Sequence, residues 1–259
     1  MTLSDLFIQS HLQQIDSPNV IGLAITGSYA RGQESKYSDV DLDIYVSQLP
    51  ENPHDRYTLR YWENKLVSLK QLLLDDERSA LTNPRRAIWA VPGLCGMAIL
   101  LDKDGSLTAL QHAAQEFNWS TLQSAANEFA AEEIMGNTEE VHKLLNGLAL
   151  KAESMVLYAT WGLVKNMLEA VAVQRGIMIF SENRYLDLIQ DSVGRDSKWT
   201  RLFRTAWGLE TGASQYQSRG AAALRLYVLT VEMFGGFIPE KHRDVVNKTL
   251  QLIKEEGYS

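Results

Sequence analysis

The stretch ITGSYARGQESKYSDVDLDIYV, residues 25–46, constrains the fold more than any other part of the chain. It begins at the end of an apolar run, Val20 to Thr26, in which Ile21, Leu23 and Ile25 alternate. That run reads as a half-buried strand bounded by Pro18 and Gly27. Val40 to Val46 reads as a second strand, with Val40, Leu42, Ile44 and Val46 on its buried face. Period-two geometry then places Asp39, Asp41, Asp43 and Tyr45 together on the other face. Carboxylates two residues apart on a strand stand about 7 Å from one another and repel unless a cation lies between them.

Two explanations fit such a row of carboxylates. Oxygen ligands suit a hard ion such as Mg2+, which takes one or two carboxylates and completes its shell with water and substrate phosphates. A solvated strand edge, charged against aggregation, would use the same residues. An EF-hand is excluded, because its loop needs Gly at the sixth position and Glu at the twelfth, where this chain has Ile44 and Pro50. The Gly-Ser pair favours the metal. Gly27 ends the first strand where the backbone must turn, and Ser28 offers both its N–H and its hydroxyl at the start of a short helix, an arrangement suited to phosphate. The Gly-x4-Gly-Lys-Ser/Thr pattern of a P-loop is absent. Phosphate held beside a metal site indicates phosphoryl or nucleotidyl transfer.

With strand, Gly-Ser, short helix and YSDVDLDIYV in that order, the chain resembles the nucleotidyltransferase signature of the DNA polymerase beta superfamily. The resemblance implies that Gly27 and Ser28 hold the β and γ phosphates of a nucleoside triphosphate such as ATP, and that Asp39 and Asp41 bind two Mg2+ ions. Asp43 lies beyond the usual pair and reads as edge or supporting residue. Within that superfamily, residues 20–146 are most similar to the kanamycin nucleotidyltransferase type. This similarity implies a general base at Glu139, a lysine near the triphosphate at Lys143 and an asparagine at Asn146, all within EEVHKLLN. The same Glu/Lys spacing also describes an exposed helix pair, and Glu132 and Glu133 are rivals for the base. The superfamily usually carries a third carboxylate on a later strand, yet YWENKLVSLK has Val67 or Ser68 at that place. Either Glu63, the acidic residue near enough in sequence, substitutes as a third metal ligand, or the chain binds its metals with two carboxylates, or it has lost some activity.

The implied reaction moves a nucleoside monophosphate, AMP by preference, to a hydroxyl of a small acceptor, with an aminoglycoside-like antibiotic as one candidate. A nucleotide-binding regulatory or antitoxin-like protein is the alternative, as is an adenylyltransferase that modifies proteins. Arg31 and Lys36 lie in the loop after Ser28 and could reach phosphate or simply be solvated. His142 reads as a bystander, and Trp161, Trp199 and Trp207 read as core.

The whole chain of 259 residues is 45% hydrophobic, enough for a substantial core, and carries a formal net charge of −7. That balance argues against a nucleic-acid binder that neutralises phosphates with a basic face. A single cysteine, Cys95, excludes an internal disulfide and reads as a small buried hydrophobe. The N-terminal residues lack the basic and apolar regions of a signal peptide, so the chain reads as cytoplasmic. Ala221 to Ile238 is interrupted by Arg225 and Glu232 and reads as a core helix, with no membrane partner expected. A homodimer is left open.

Further along, Ser4 is expected to cap a first helix with Ile8, Leu12 and Ile15 on one face. Tyr57 to Leu69 reads as one long strand, Pro92-Gly93 as a break, Gly96 to Leu101 as a strand and Leu107 to Phe117 as a helix. Beyond residue 117 the pattern is helical, with long helices expected over Thr121 to Met135 and Glu139 to Gln174. The fold class is α+β, a nucleotidyltransferase domain over residues 1–117 followed by an all-α helical bundle over 118–259.

Overall fold

The computed structural model describes residues 14–210 and 215–258, so the helix expected from Ser4 lies mostly outside the described residues. The N-terminal elements are β1 (Val20–Thr26), a one-turn helix α1 (Gly27–Ala30), β2 (Val40–Val46), β3 (Tyr57–Trp62) and β4 (Lys65–Leu72). Then come α2 (Leu74–Ala80), α3 (Pro84–Cys95), β5 (Ala98–Asp102) and α4 (Ser106–Gln115). The strands form one mixed sheet in the order β3-β4-β2-β1-β5. β1 runs antiparallel to β2 and β5, β2 parallel to β4, and β3 antiparallel to β4.

One face of the sheet buries Leu23, Ile25, Val40, Leu42, Ile44, Val46, Val67 and Leu69 in a single cluster. This is the apolar half of the alternation in β1 and β2. On the opposite face Ala24 and Tyr45 pack at one end with Leu94, Met97, Leu107, Leu110 and Ala114 from α3, α4 and the chain before β5. The other end of that face, which carries Asp39 and Asp41, is left to the site.

Two expectations change here. The long strand over Tyr57 to Leu69 is a hairpin, turning at Glu63 (φ 45°) and Asn64 (φ 64°), the paired positive φ angles of a two-residue turn matched to strand twist. Pro92 does not break its segment but lies inside α3. A proline there has no N–H for the carbonyl four residues earlier. That carbonyl, on Ile88, accepts instead from the backbone N–H of Ile179 at 2.7 Å.

The helical elements are α5 (Gln123–Gly136), α6 (Thr138–Ala149), α7 (Glu153–Gln174), α8 (Tyr185–Val193), α9 (Lys198–Trp207), α10 (Tyr216–Phe234) and α11 (Glu240–Glu255). The helix expected over Glu139 to Gln174 is therefore two helices. The chain breaks at Lys151, which takes φ 54°, and the Ala152 N–H returns to the Gly147 carbonyl at 2.9 Å. α7 is the central helix, burying Val156, Leu163, Val164, Met167, Leu168 and Val171. α10 buries Leu224, Leu226, Tyr227 and Val231, and no helix among the described residues is long and apolar enough to cross a membrane. Trp199 is buried, its indole N–H donating to the Thr230 hydroxyl at 2.9 Å. Trp161 departs from expectation: it is 52% exposed and stands beside exposed Tyr158.

The described residues divide into two compact units. One runs up to Trp119 and includes Met178–Glu182; the other comprises Ser120–Ile177 and the residues from Asn183 onward.

Candidate nucleotidyltransferase site

Strand register assembles the site. In β1–β2 pairing Thr26 lies opposite Asp41 and Ala24 opposite Asp43; in β2–β4 pairing Asp41 lies opposite Ser68 and Asp43 opposite Lys70. Residues paired across strands project to the same face. The open end of the sheet therefore presents Thr26, Asp41 and Ser68 in one row, and Asp43 with Lys70 in the next. β3 extends both rows, because Leu59 pairs with Ser68 and Tyr57 with Lys70. Tyr57, Leu59 and Tyr61 are all exposed, so the rows end in an apolar stripe on the edge strand.

Gly27 and Asp41 come together as the sequence suggested. Gly27 has φ +66°, and a Cβ placed on it would overlap Oδ2 of Asp41, so both the backbone and the space require glycine. Just past it, Ser28 lies in the one-turn helix α1, and the Gln33 N–H closes the following loop on the Ser28 carbonyl at 2.9 Å. The loop then turns at Ser35, whose N–H donates to the Ser38 hydroxyl at 2.8 Å. Asp39 follows this turn directly and sits immediately before β2.

Asp41 is the constrained member of the carboxylate row. The Ser68 hydroxyl donates to its Oδ1 at 2.7 Å, leaving Oδ2 toward Gly27. Burial raises its carboxyl above the ordinary range; the Ser68 hydrogen bond opposes that rise and the Asp39 charge adds to it. Asp43 is pushed up to about 6, chiefly by burial, with Lys70 opposing and Glu77 and Asp41 reinforcing. Among the described residues, no three or more His, Cys, Asp or Glu side chains gather as a metal-binding group.

The other expected site residues are carried by other elements. Glu63 sits in the β3–β4 turn, five residues along the chain from Ser68, which amounts to roughly 15 Å of extended strand. The structure does not bring it to Asp41; Ser68 occupies that place. Glu139 and Lys143 lie on α6 in the helical unit. Lys143 pairs with Glu140 at 2.6 Å, and this salt bridge raises its ammonium above the usual value. The second oxygen of Glu140 is buried without a hydrogen-bond partner, whereas Glu139 is exposed. Of the rivals for the base, Glu132 is exposed and Glu133 receives the Asn137 amide, whose Nδ2 lies 3.4 Å from its Oε2.

Residues 8–83 match the family described as nucleotidyltransferase domain. This segment is similar to that family over the strands and turn that carry the candidate site. The match takes in Gly27, Ser28, Asp39, Asp41, Ser68 and Lys70 and ends before α6. A candidate protein adenylyltransferase of Methanocaldococcus jannaschii is 28% identical over 106 residues, which cover 39% of this chain and 70% of that protein. A nucleotidyltransferase-like protein from Exiguobacterium sibiricum, known from a crystal structure, aligns over 91% of this chain and 78% of its own with a TM-score of 0.49 and 15% identity. The kanamycin type is not distinguished by these matches. Sequence reasoning missed Lys70 and the Ser68 hydroxyl, because both depend on the parallel β2–β4 register; their only trace in the sequence is their i, i+2 spacing on an alternating strand.

Proposed function

We propose that the chain is an adenylyltransferase that moves AMP from ATP to a hydroxyl group of an acceptor. The observation that supports it most is the meeting of Gly27, Asp41 and Ser68, in which a half-buried carboxylate is held with one oxygen toward the turn that opens at Gly27. The donor set fits a divalent ion: Asp39 and Asp41 offer carboxylate oxygens, and Oδ2 of Asp41 is left toward the Gly27 turn while Ser68 engages Oδ1. Asp39 and Asp41 would hold Mg2+, which when bound neutralises phosphate charge and orients the triphosphate for in-line attack.

The chain's own residues account for the remainder. The backbone N–H groups of the Gly27-Ser28 turn and the Ser28 hydroxyl donate to the terminal phosphates. Ser68 fixes the rotamer of Asp41 through Oδ1. The acceptor hydroxyl gives its proton to a carboxylate base, the role that the resemblance assigns to Glu139, as its oxygen bonds to the α-phosphorus; the bond from that phosphorus to the bridging oxygen breaks, and pyrophosphate leaves. A second reading, in which the acceptor is a protein hydroxyl, is favoured by the described function of the 28%-identical relative. A polycationic small acceptor such as an aminoglycoside rests on the net charge of −7 alone.

The test is pyrophosphate release, with mass gain of one AMP, from ATP, Mg2+ and a panel of small hydroxyl compounds and proteins. Asp41→Asn should abolish transfer while the fold persists. Glu139→Gln should slow the transfer step by roughly 10²- to 10⁴-fold with nucleotide binding nearly unchanged. Nucleotide binding without release on any acceptor would instead support a regulatory protein, and full activity in Asp41→Asn would overturn the site.

A further inference from the structure

The two rows on the open face differ in charge. Asp41 stands opposite a neutral hydroxyl, Ser68, and the next row places Lys70 opposite Asp43. Lys70 leaves the sheet on the same face as Asp41, about 7 Å along the strand from Ser68, and is exposed. A lysine arm is long enough to cover that distance toward a ligand over Asp41. Its charge already reaches both carboxylates, holding each below where burial alone would put it.

Two-ion phosphoryl-transfer sites hold their metals about 3.5–4 Å apart, and such a pair needs enough anionic oxygen to bridge and surround it. Here Asp41 has Oδ1 engaged by Ser68 and Asp43 accepts from the Thr26 hydroxyl. No third acidic side chain joins Asp39 and Asp41 among the described residues. Two carboxylates balance the charge of one divalent ion and leave a second to be held by the triphosphate alone.

We infer that this site, on the transfer reading given above, holds one divalent ion at Asp39 and Asp41, and that the Lys70 ammonium is the fixed charge that faces the triphosphate where a second ion would otherwise stand. Lys70 is then a phosphate-binding residue, and Ser68 is the reason the site stops at one ion. A lysine charge is permanent and needs no free metal, so binding of the triphosphate should saturate with a single equivalent of metal.

The experiment is Mn2+ titration of the full chain with a non-hydrolysable ATP analogue, read by electron paramagnetic resonance and by calorimetric stoichiometry. One Mn2+ per protein–nucleotide complex with an isolated-ion spectrum is expected; two ions with an exchange-coupled spectrum overturn the inference. Lys70→Met should weaken binding of the analogue roughly 10- to 100-fold, the loss of one charge-assisted hydrogen bond, with Mn2+ stoichiometry unchanged and Lys70→Arg restoring most of the affinity. If Lys70→Met only lowers the melting temperature and leaves the affinity within twofold, Lys70 is merely a counter-ion of Asp43 and the inference fails. Ser68→Asp supplies the missing carboxylate and should admit a second, coupled Mn2+; a single ion there would show that Ser68 does not set the count and would overturn that part. Asp41→Asn separates the two levels: retained Mn2+ binding in it sinks the transfer site itself, whatever Lys70 does.

Discussion

Asp41 and Asp43 are two residues apart on one strand, yet their surroundings divide them. Asp41 has a hydroxyl donor in register and an oxygen toward the Gly27 turn, which suits a ligand. Asp43 lies one row nearer the covered end, facing Lys70 and Glu77, and its carboxyl is raised to about 6 from 3.8. The folded chain therefore binds a proton more tightly than the unfolded chain at this residue, and stability from it is present at low pH and lost as pH rises from about 4 through about 6. Without metal, Asp43→Asn should stabilise the protein at pH 7.5 by at most about 3 kcal/mol, the equivalent of a two-unit shift, with the difference vanishing near pH 4. Urea unfolding of both proteins in chelator across pH 4–8 measures it. Equal stability of the two at every pH would mean that Asp43 carries no such burden. The sequence indicated that these carboxylates share a face; it did not say which of them the fold would bury, because that depends on where α3 and α4 end their cover.

At the level of elements, β1 and β2 were legible because apolar alternation is bounded by residues with fixed backbone meaning, Pro18 and Gly27, and by the polar loop before Asp39. The β3–β4 hairpin was not, since its turn is Glu63-Asn64, with neither Gly nor Pro to mark it, and the alternation of large side chains Tyr57, Leu59 and Tyr61 runs straight into it. The break between α6 and α7 was hidden for the same reason, falling at Leu150-Lys151-Ala152. The start of α4 shows a signal the sequence did carry. Asp102, at the end of β5, accepts from the N–H groups of Leu107 at 3.2 Å and Thr108 at 2.9 Å and from the Thr108 hydroxyl at 2.7 Å. Burial pushes its carboxyl up, but these bonds outweigh it and the net shift is downward. A lowered carboxyl stabilises the fold above its unfolded value and loses that contribution as pH falls through the folded one. Asp102→Asn should therefore cost about 1 kcal/mol at pH 7, the usual worth of such a helix-start acceptor, and the cost should shrink below about pH 4. Thermal unfolding at pH 7 and pH 3 checks both halves; a cost that persists undiminished at pH 3 would mean that packing and not the charge is lost.

For the whole molecule, the chain order and the division into units do not coincide. Met178–Glu182 follow α7 of the helical unit yet belong to the sheet unit, where Ile179 is 2% exposed and its N–H serves the Ile88 carbonyl. Nothing in the sequence announces this, because Ile177-Met178-Ile179-Phe180 is a short apolar run like many others and its partner is created ninety residues earlier by Pro92. An orphaned buried carbonyl costs on the order of 1–3 kcal/mol, so Pro92 and the returning segment should be energetically coupled. Two changes test this: Pro92→Ala, which restores an N–H to Ile88 within the helix, and replacement of residues 178–182 by a Gly-Ser segment of equal length. Replacing the segment alone should destabilise the sheet unit by several kcal/mol, from the loss of Ile179 burial, about 2–4 kcal/mol, and of the hydrogen bond. In the Pro92→Ala background the same replacement should cost less by about 1 kcal/mol or more, since the helix now satisfies its own carbonyl. Urea unfolding of the four chains, followed by the tryptophan signal and by hydrogen exchange of the Ile88 turn, gives the coupling directly. A coupling of zero would mean that the Ile179 hydrogen bond adds nothing beyond packing, and a larger cost in the Pro92→Ala background would mean that the two N–H groups compete for one carbonyl.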